Sequence, residues 1–408
     1  MKKHTIKPGD LVVLAYSGGL DTSIIIPWLK EHYQVRVVAF CADLGQGDDF
    51  EAIRAKALAS GAEAVEVADL RERFVVDFAF PMLRSEAIYE GVYLLGTSIA
   101  RPLIAEALVR VARQYGALAV AHGATGKGND QVRFELGIRA LAPDLAVIAP
   151  WREWEITGRL QAMEYAKRHG VPVSATPASP YSRDQNIWHV SHEGGLLEDP
   201  AIPTPRDVYT WTADPVAAPD TPETIQIGFQ SGNPIALNGE NLDPVALVEK
   251  LNALGARHGI GRVTMVENRL VGMKSRGVYE TPGGTLLYAA HSALTALTWD
   301  RETRAFAAEV ALRMARLIYD GWWFSALRES LSAFVDRANL VVTGEVTLSL
   351  YKGQATHQAA TSPYSLYSED LATFDGGDYD HQDAEGFIRL FGLPMAMRHA
   401  QLERIQNS

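Results

Sequence analysis

Leu11-Val12-Val13-Leu14-Ala15-Tyr16-Ser17-Gly18-Gly19-Leu20-Asp21-Thr22-Ser23 decides how the rest of this 408-residue chain is read. An apolar run of strand length stops at a Ser-Gly-Gly turn, and residues 22–33 then carry helical hydrophobic spacing, with Asp21 placed to cap them. Two glycines let backbone N–H groups approach an anion closely, Ser17 adds a hydroxyl, and a helix start contributes partial positive charge. The turn is therefore expected to bind phosphate. Its spacing is neither Gly-x-x-x-x-Gly-Lys-Ser/Thr nor Gly-x-Gly-x-x-Gly, so it is not one of the two common phosphate loops.

Outward from this stretch, residues 35–40 read as a buried strand, 50–60 as a helix stopped by Gly61, and 64–67 as a short strand. Pro27 is expected to bend the first helix or shift its start. Residues 70–91 read as one or two helices. Arg101-Pro102 opens another helix that runs to residue 115, because proline suits a first helical turn. Strand 118–121, the polar loop His122 to Asp130, helix 131–141 and strand 145–149 follow. Continuous apolar strands alternating with helices predict a doubly wound α/β domain with a parallel sheet, whose ligands sit at the carboxyl ends of the strands. Ser17, Ala42 and Gly123 all fall at such ends.

From about residue 175 the chain becomes Pro-rich, which marks a domain boundary. Beyond it, strands at 224–237, a tight turn at Asn238-Gly239, helices at 244–255, 300–319 and 325–337, and a half-exposed strand at 340–351 predict a second, α+β domain. Residues 386–408 end in a helix suited to packing on another subunit. The expected division is 1–174 for nucleotide binding, 175–385 for a synthetase and oligomerisation domain, and 386–408 for a helical tail.

Composition narrows the function. Hydrophobic residues at 47% and charged residues at 21% belong to an ordinary globular protein and argue against disorder. The net charge of −11 offers no basic excess for a nucleic-acid partner. No stretch is long and apolar enough to be a signal peptide core or a membrane span, so a cytoplasmic protein is expected. The single cysteine, Cys41, leaves no disulfide or cysteine pair and reads as a buried small hydrophobe.

The densest chemistry outside the first loop lies in Gly123-Ala124-Thr125-Gly126-Lys127-Gly128-Asn129-Asp130-Gln131-Val132-Arg133, where three glycines free the backbone and the other side chains suit a zwitterionic ligand. The string Ser17 to Ser23 resembles the pyrophosphate (PP) loop of ATP-pyrophosphatases. Taken together with Tyr93-Leu94-Leu95-Gly96-Thr97-Ser98-Ile99-Ala100-Arg101-Pro102, residues 122–135, Val266-Glu267-Asn268-Arg269 and Gly272 through Pro282, it is similar over nearly the whole chain to the argininosuccinate synthases. One departure is His192, where a tyrosine is expected beside a substrate position.

That resemblance implies an ATP-dependent ligase of arginine biosynthesis that joins citrulline to aspartate through a citrullyl-adenylate and releases AMP and pyrophosphate. By the same resemblance, Ala15, Tyr16, Ser17, Gly18, Gly19, Leu20, Asp21, Thr22, Ser23, Ala42 and Gly123 hold ATP. Thr125, Asn129 and Asp130 hold aspartate. Tyr93, Ser98, Asn129, Arg133, Ser182, Ser191, Glu267 and Tyr279 hold citrulline. Charge logic agrees for two of these, since Arg133 can grip a carboxylate in a bidentate fork and Glu267 can pair with an ammonium or ureido group. Asp21 is either a magnesium ligand or only a helix cap. ATP with Mg²⁺ enters as substrate, no prosthetic group is expected, and the assembly implied is a homotetramer with no nucleic-acid or membrane partner. No covalent nucleophile is needed. His122 is the one histidine near the site, and a histidine ending a strand is more often structural than a base. The competing classes are an amidotransferase-type or tRNA-modifying ATP-pyrophosphatase and a nucleotide-sensing module. The first two lack the cysteine or basic face they call for, and the third leaves the 123–133 loop without a purpose.

Overall fold

The computed structural model describes residues 6–156, 158–172, 181–374, 377 and 379–408. The first half runs β1 (Leu11–Ala15), α1 (Leu20–His32), β2 (Arg36–Asp43), α2 (Phe50–Ala59), β3 (Ala64–Asp69), α3 (Arg71–Arg73), α4 (Phe80–Arg84), α5 (Gly96–Gln114), β4 (Ala119–His122), α6 (Asp130–Leu141), β5 (Ala146–Ile148) and α7 (Arg159–Arg168). The strands form one parallel sheet in the order β3-β2-β1-β4-β5. Both faces are covered. Val12 and Leu14 pack on Ile24, Ile25 and Leu29 of α1, while Leu11 and Val13 join Val38, Phe40, Leu103 and Leu108 on the α5 side. The strand order reverses between β1 and β4, and a crevice for a ligand opens at the carboxyl ends of strands at such a switch point.

Several local expectations shift. The first helix starts at Leu20 with Gly19 as its N-cap and no side-chain cap, so Asp21 lies inside the first turn and does not cap it. The helix is continuous through Pro27. Residues 70–91 resolve into α3, a wide turn at Phe74–Ala79 and α4, which end at residue 84. The helix expected to open at Pro102 begins earlier, at Gly96, with Pro102 inside it. Leu95, at φ +56°, turns the chain into that helix.

The expected junction at residue 175 lies outside the described residues. Beyond it come β6 (Ser182–Gln185), β7 (Val190–Glu193), β8 (Glu223–Gln230), β9 (Asn233–Leu237), β10 (Glu240–Asn241), α8 (Pro244–Arg257), β11 (Arg262–Asn268), β12 (Lys274–Glu280), α9 (Pro282–Thr298), α10 (Arg301–Tyr319), α11 (Ala326–Asn339), β13 (Gly344–Tyr351) and β14 (Gln354–Thr361). They build two antiparallel sheets, β10-β9-β8-β13-β14 and β11-β12-β7-β6. Asp243, Asp300 and Ser325 accept first-turn N–H groups and so start α8, α10 and α11. Val346, Leu348 and Leu350 of β13 are buried and their neighbours less so, the alternation read from the sequence. By its contacts the chain divides after Tyr364. The part from Ser365 onward contains α12 (Glu369–Ala372), α13 (His381–Phe391) and α14 (Leu393–Gln406), so the helix expected at the end is two helices meeting at Gly392.

Candidate active site

The glycine turn after β1 is fixed by what lies beneath it. Tyr16 N–H donates to the Phe40 carbonyl at 2.8 Å and carries the β1 ladder one residue further. The chain then turns at Gly18, at φ +76°, where a Cβ would stand 2.8 Å from Ile53 of α2. Only glycine meets both demands. Ser23 is fully buried, donates to the Gly19 carbonyl at 2.7 Å and shares a 2.9 Å hydrogen bond with the Tyr16 hydroxyl. The turn and the helix start leave Ser17, Gly19, Leu20, Asp21 and Thr22 on the wall of a cleft of about 790 Å³. Burial raises the Asp21 carboxyl above its ordinary range, and the charge of Arg159 partly opposes that.

The facing wall is the loop after β4. Gly123 sits where a Cβ would meet Thr22 of α1 at 2.9 Å, so the two loops touch. Gln131 Nε2 donates to the Gly126 carbonyl at 2.6 Å and closes the loop on itself. Asp130, at the start of α6, accepts from Arg101 at 2.7 Å and from Arg133 at 2.8 Å, and Arg101 also reaches Asp184 at 2.8 Å. Burial alone would raise the Asp130 carboxyl, but the two guanidinium groups hold it well below the ordinary carboxylate range. Asp130 is therefore an anion.

The third wall comes from the second half of the chain. Glu267, 4% exposed, accepts from Tyr279 and from Tyr319 at 2.7 Å each, one phenol on each oxygen. The Tyr319 hydroxyl accepts in turn from Asn129 Nδ2 at 2.8 Å, and Asn129 Oδ1 accepts the Leu270 N–H at 2.9 Å. Arg133 Nε donates to the Tyr319 carbonyl at 2.8 Å. Tyr93 stacks on Tyr279 with ring centres 4.4 Å apart. Glu193 of β7 pairs with Arg269, whose Nη1 also donates to the Lys127 carbonyl.

Most of the residues singled out in the sequence converge here. Ala15, Tyr16, Ser17, Gly19, Leu20, Asp21, Thr22, Ala42, Tyr93, Gly123, Thr125, Asn129, Asp130, Arg133, Ser182, Ser191, Glu267 and Tyr279 line the one cleft. Gly18 and Ser23 support the turn from behind, and Ser98 is fully buried beneath the wall, its hydroxyl without a partner among the described residues. Arg101, Arg159, Glu193, Arg269 and Tyr319 also line the cleft and were not anticipated. Of these, Arg101 and Arg269 lie within the motifs that carry the family resemblance, and Glu193 lies in the stretch Ser191-His192-Glu193-Gly194-Gly195 around the departure at His192. Among the described residues, no group of three or more His, Cys, Asp or Glu side chains is arranged to hold a metal ion.

His192 proves to be separated from the cleft by strand alternation. Ser191 and Glu193 line the cleft, so the side chain between them points to the opposite face of the sheet. There it bonds Glu280 at 3.0 Å and accepts from Arg183 Nε at 3.1 Å. Burial opposes the Glu280 charge, yet His192, Thr212 and the backbone N–H groups of Thr210 and Thr212 hold its carboxyl down at about 2. His122 lines the cleft, accepts the Ala124 N–H at Nδ1 at 3.3 Å, and has its buried Nε2 3.5 Å from Glu135 with no hydrogen-bond partner among the described residues. Burial pushes the Cys41 thiol up to about 12, too high for a nucleophile at neutral pH.

A parallel α/β sheet with a glycine turn at its switch point, its cleft completed by residues of a second α+β region, is the layout of a doubly wound enzyme with its ligand crevice at the carboxyl ends of the strands. The family model described as the arginosuccinate synthase N-terminal HUP domain matches residues 11–172, and that for the arginosuccinate synthase C-terminal domain matches residues 181–398. The chain is 61% identical over 390 residues to the argininosuccinate synthase of Carboxydothermus hydrogenoformans, covering 95% of this chain and 97% of that one. It is 58% identical over 399 residues to that of Desulfitobacterium hafniense, covering 98% of each. It is also 59% identical over 396 residues to the chloroplastic argininosuccinate synthase of Arabidopsis thaliana, covering 97% of this chain and 80% of that one. The chain belongs to the argininosuccinate synthase family, ATP-using ligases that form a C–N bond.

Proposed function

We propose that this chain condenses citrulline with aspartate to argininosuccinate, with ATP cleaved to AMP and pyrophosphate. The observation that carries the reading is a single cleft with a glycine turn at a helix start on one wall and, on the others, a carboxylate between two arginines and a second carboxylate held by two tyrosines. A urea oxygen is a poor leaving group. The citrulline ureido oxygen therefore attacks the α-phosphorus, pyrophosphate leaves, and the aspartate amine attacks the ureido carbon and expels AMP, which carries that oxygen away. This route asks the protein for positioning and charge stabilisation and needs no covalent nucleophile.

In this reading Ala15 to Ser23, with Ala42 and Gly123, bind ATP, the turn taking the β and γ phosphates and the free helix N–H groups adding to it. Thr125 and Asn129 hold an aspartate carboxylate and Asp130 its ammonium group. Tyr93, Ser98, Asn129, Arg133, Ser182, Ser191, Glu267 and Tyr279 form the citrulline side. Mg²⁺ arrives with ATP as part of the substrate. Asp21, whose carboxyl is destabilised as an anion by burial, is the residue a cation there would relieve, with phosphate oxygens and water supplying the remaining ligands. The adenylate's own phosphate is the acceptor this reading gives to the proton the aspartate amine loses.

The anchored thiol of Cys41 disfavours an amidotransferase-type or persulfide-dependent tRNA-modifying enzyme. No helix among the described residues is long and apolar enough to cross a membrane. A cytoplasmic setting is part of this reading. A homotetramer is supported by family membership and by the exposed Phe387, Ile388 and Phe391 of α13. Citrulline labelled with oxygen-18 in the ureido group tests the chemistry: label is expected in AMP, and unlabelled AMP sinks the adenylate.

A further inference from the structure

The phosphate turn, residues 16–23, contains no lysine or arginine of its own. A cation does reach it from behind. Helix α2, started by Asp49, lays one face along the turn. Ile53 fills the space left by the missing Gly18 side chain, and Lys56, one helical turn further along the same face, donates from Nζ to the Gly18 carbonyl at 2.7 Å. Among the described residues, no carboxylate lies within 4.0 Å of that ammonium group. Burial lowers its proton affinity, so its charge is neither paired nor fully hydrated. Lys30, by contrast, caps the Gly61 carbonyl at the far end of the same helix, away from the turn.

A trans peptide holds its C=O and the following N–H antiparallel. With the Gly18 carbonyl drawn toward α2 by Lys56, the Gly19 N–H of the same planar unit faces away from α2. Its nearest protein acceptor is the Ser17 hydroxyl at 3.5 Å, too long to occupy it. Glycine on both sides leaves this peptide otherwise free to flip. We propose that Lys56 is a positioning residue that locks the Gly18–Gly19 peptide, so that the Gly19 N–H is presented to the pyrophosphate end of ATP over a half-buried positive charge. The inference rests on the reading of this turn as the pyrophosphate site.

The test is calorimetric binding of inorganic pyrophosphate to the full chain and to Lys56→Gln and Lys56→Arg, with KM measured for all three substrates. Loss of a charged hydrogen bond and its field is expected to weaken pyrophosphate binding by about 10- to 100-fold in Lys56→Gln. KM for ATP should rise with it, KM for citrulline and aspartate should stay within about twofold, and Lys56→Arg should recover most of the loss. Unchanged pyrophosphate affinity in Lys56→Gln, or an equal rise in all three KM values, overturns the proposal. Should Lys56→Gln fail to fold, amine acylation of the unmutated chain read by mass spectrometry decides the matter. Pyrophosphate is expected to slow acylation of Lys56 selectively, and an unaltered rate overturns the proposal. If the unmutated chain makes no argininosuccinate yet pyrophosphate binding depends on Lys56, the functional reading fails and this inference stands. If the chain is active and pyrophosphate binding ignores Lys56, this inference fails alone.

Discussion

Tyr319, the last residue of α10, donates its hydroxyl to Glu267 Oε2 at 2.7 Å while accepting from Asn129 Nδ2 at 2.8 Å. One phenol thus ties the carboxylate at the end of β11 to the amide at the start of α6. Tyr319→Phe leaves Glu267 with one donor and Asn129 with an unmatched N–H. A hydrogen bond to a charged group is worth roughly 1.5–3 kcal/mol, so KM for citrulline should rise about tenfold or more while KM for ATP moves by less than about twofold. Steady-state kinetics with each substrate varied in turn checks this.

Asp130 separates two guanidinium groups. In Asp130→Asn, Arg101 and Arg133 face each other without their shared anion, and breaking a buried ion pair from one side costs roughly 3–5 kcal/mol. Urea unfolding should show that loss. Aspartate use should fall far more than ATP binding, and equal losses for both would contradict the role proposed for this carboxylate.

His189 is fully buried, its Nε2 bonded to the Thr97 hydroxyl at 2.7 Å. Burial, aided by the charge of Arg101, pushes the ring down to about 3. The unfolded chain binds a proton here below about pH 6.5 and the folded chain does not, so stability is complete above that pH and is lost as pH falls from there toward 3. Between pH 7 and pH 5 the contribution is about 2 kcal/mol. Unfolding free energies of His189→Gln should drop by about that much less than those of the unmutated chain over the same interval.

Gly96, the first residue of α5, leaves room for that same ring. A Cβ at this position would stand 2.3 Å from His189 Cγ. Gly96→Ala must push the imidazole off the Thr97 hydroxyl or shift the helix start, which in a packed interior costs about 1–3 kcal/mol. A lowered thermal midpoint is expected, accompanied by weaker citrulline binding, because Thr97 N–H also meets the Tyr93 hydroxyl at 3.2 Å.

The strand, the glycine turn and the parallel sheet were legible because they obey local rules: apolar runs of strand length, glycine where φ is positive, and helices between. The start of α5 was not. Pro102 favours a first turn, yet the helix begins at Gly96, set by Leu95 in the left-handed region and by the close approach of His189, which lies far along the chain. Asp21 looked like a cap because residue type alone does not reveal that Gly19 holds the cap position. Arg101 and Arg269 stood inside recognised motifs but carried no marker of function. Tyr319 carried no signal at all, since a tyrosine ending an amphipathic helix is ordinary until its partners at 129 and 267 are seen. His192 shows the converse. Its neighbours suggested a substrate contact, and only the strand register turned it toward Glu280.

The two hydrogen bonds on the Asn129 side chain come from Leu270 and Tyr319, 141 and 190 residues later in the chain. A ribosome delivering this protein releases the glycine turn, β4 and α6 long before it delivers either partner. The nascent half carries Asp130 and Arg133 while the two groups that fix the Asn129 side chain are still being made. The orientation of Asn129 is therefore fixed late in synthesis, and a chain stopped short of residue 319 carries the glycine turn without the phenol that ties Asn129 to Glu267.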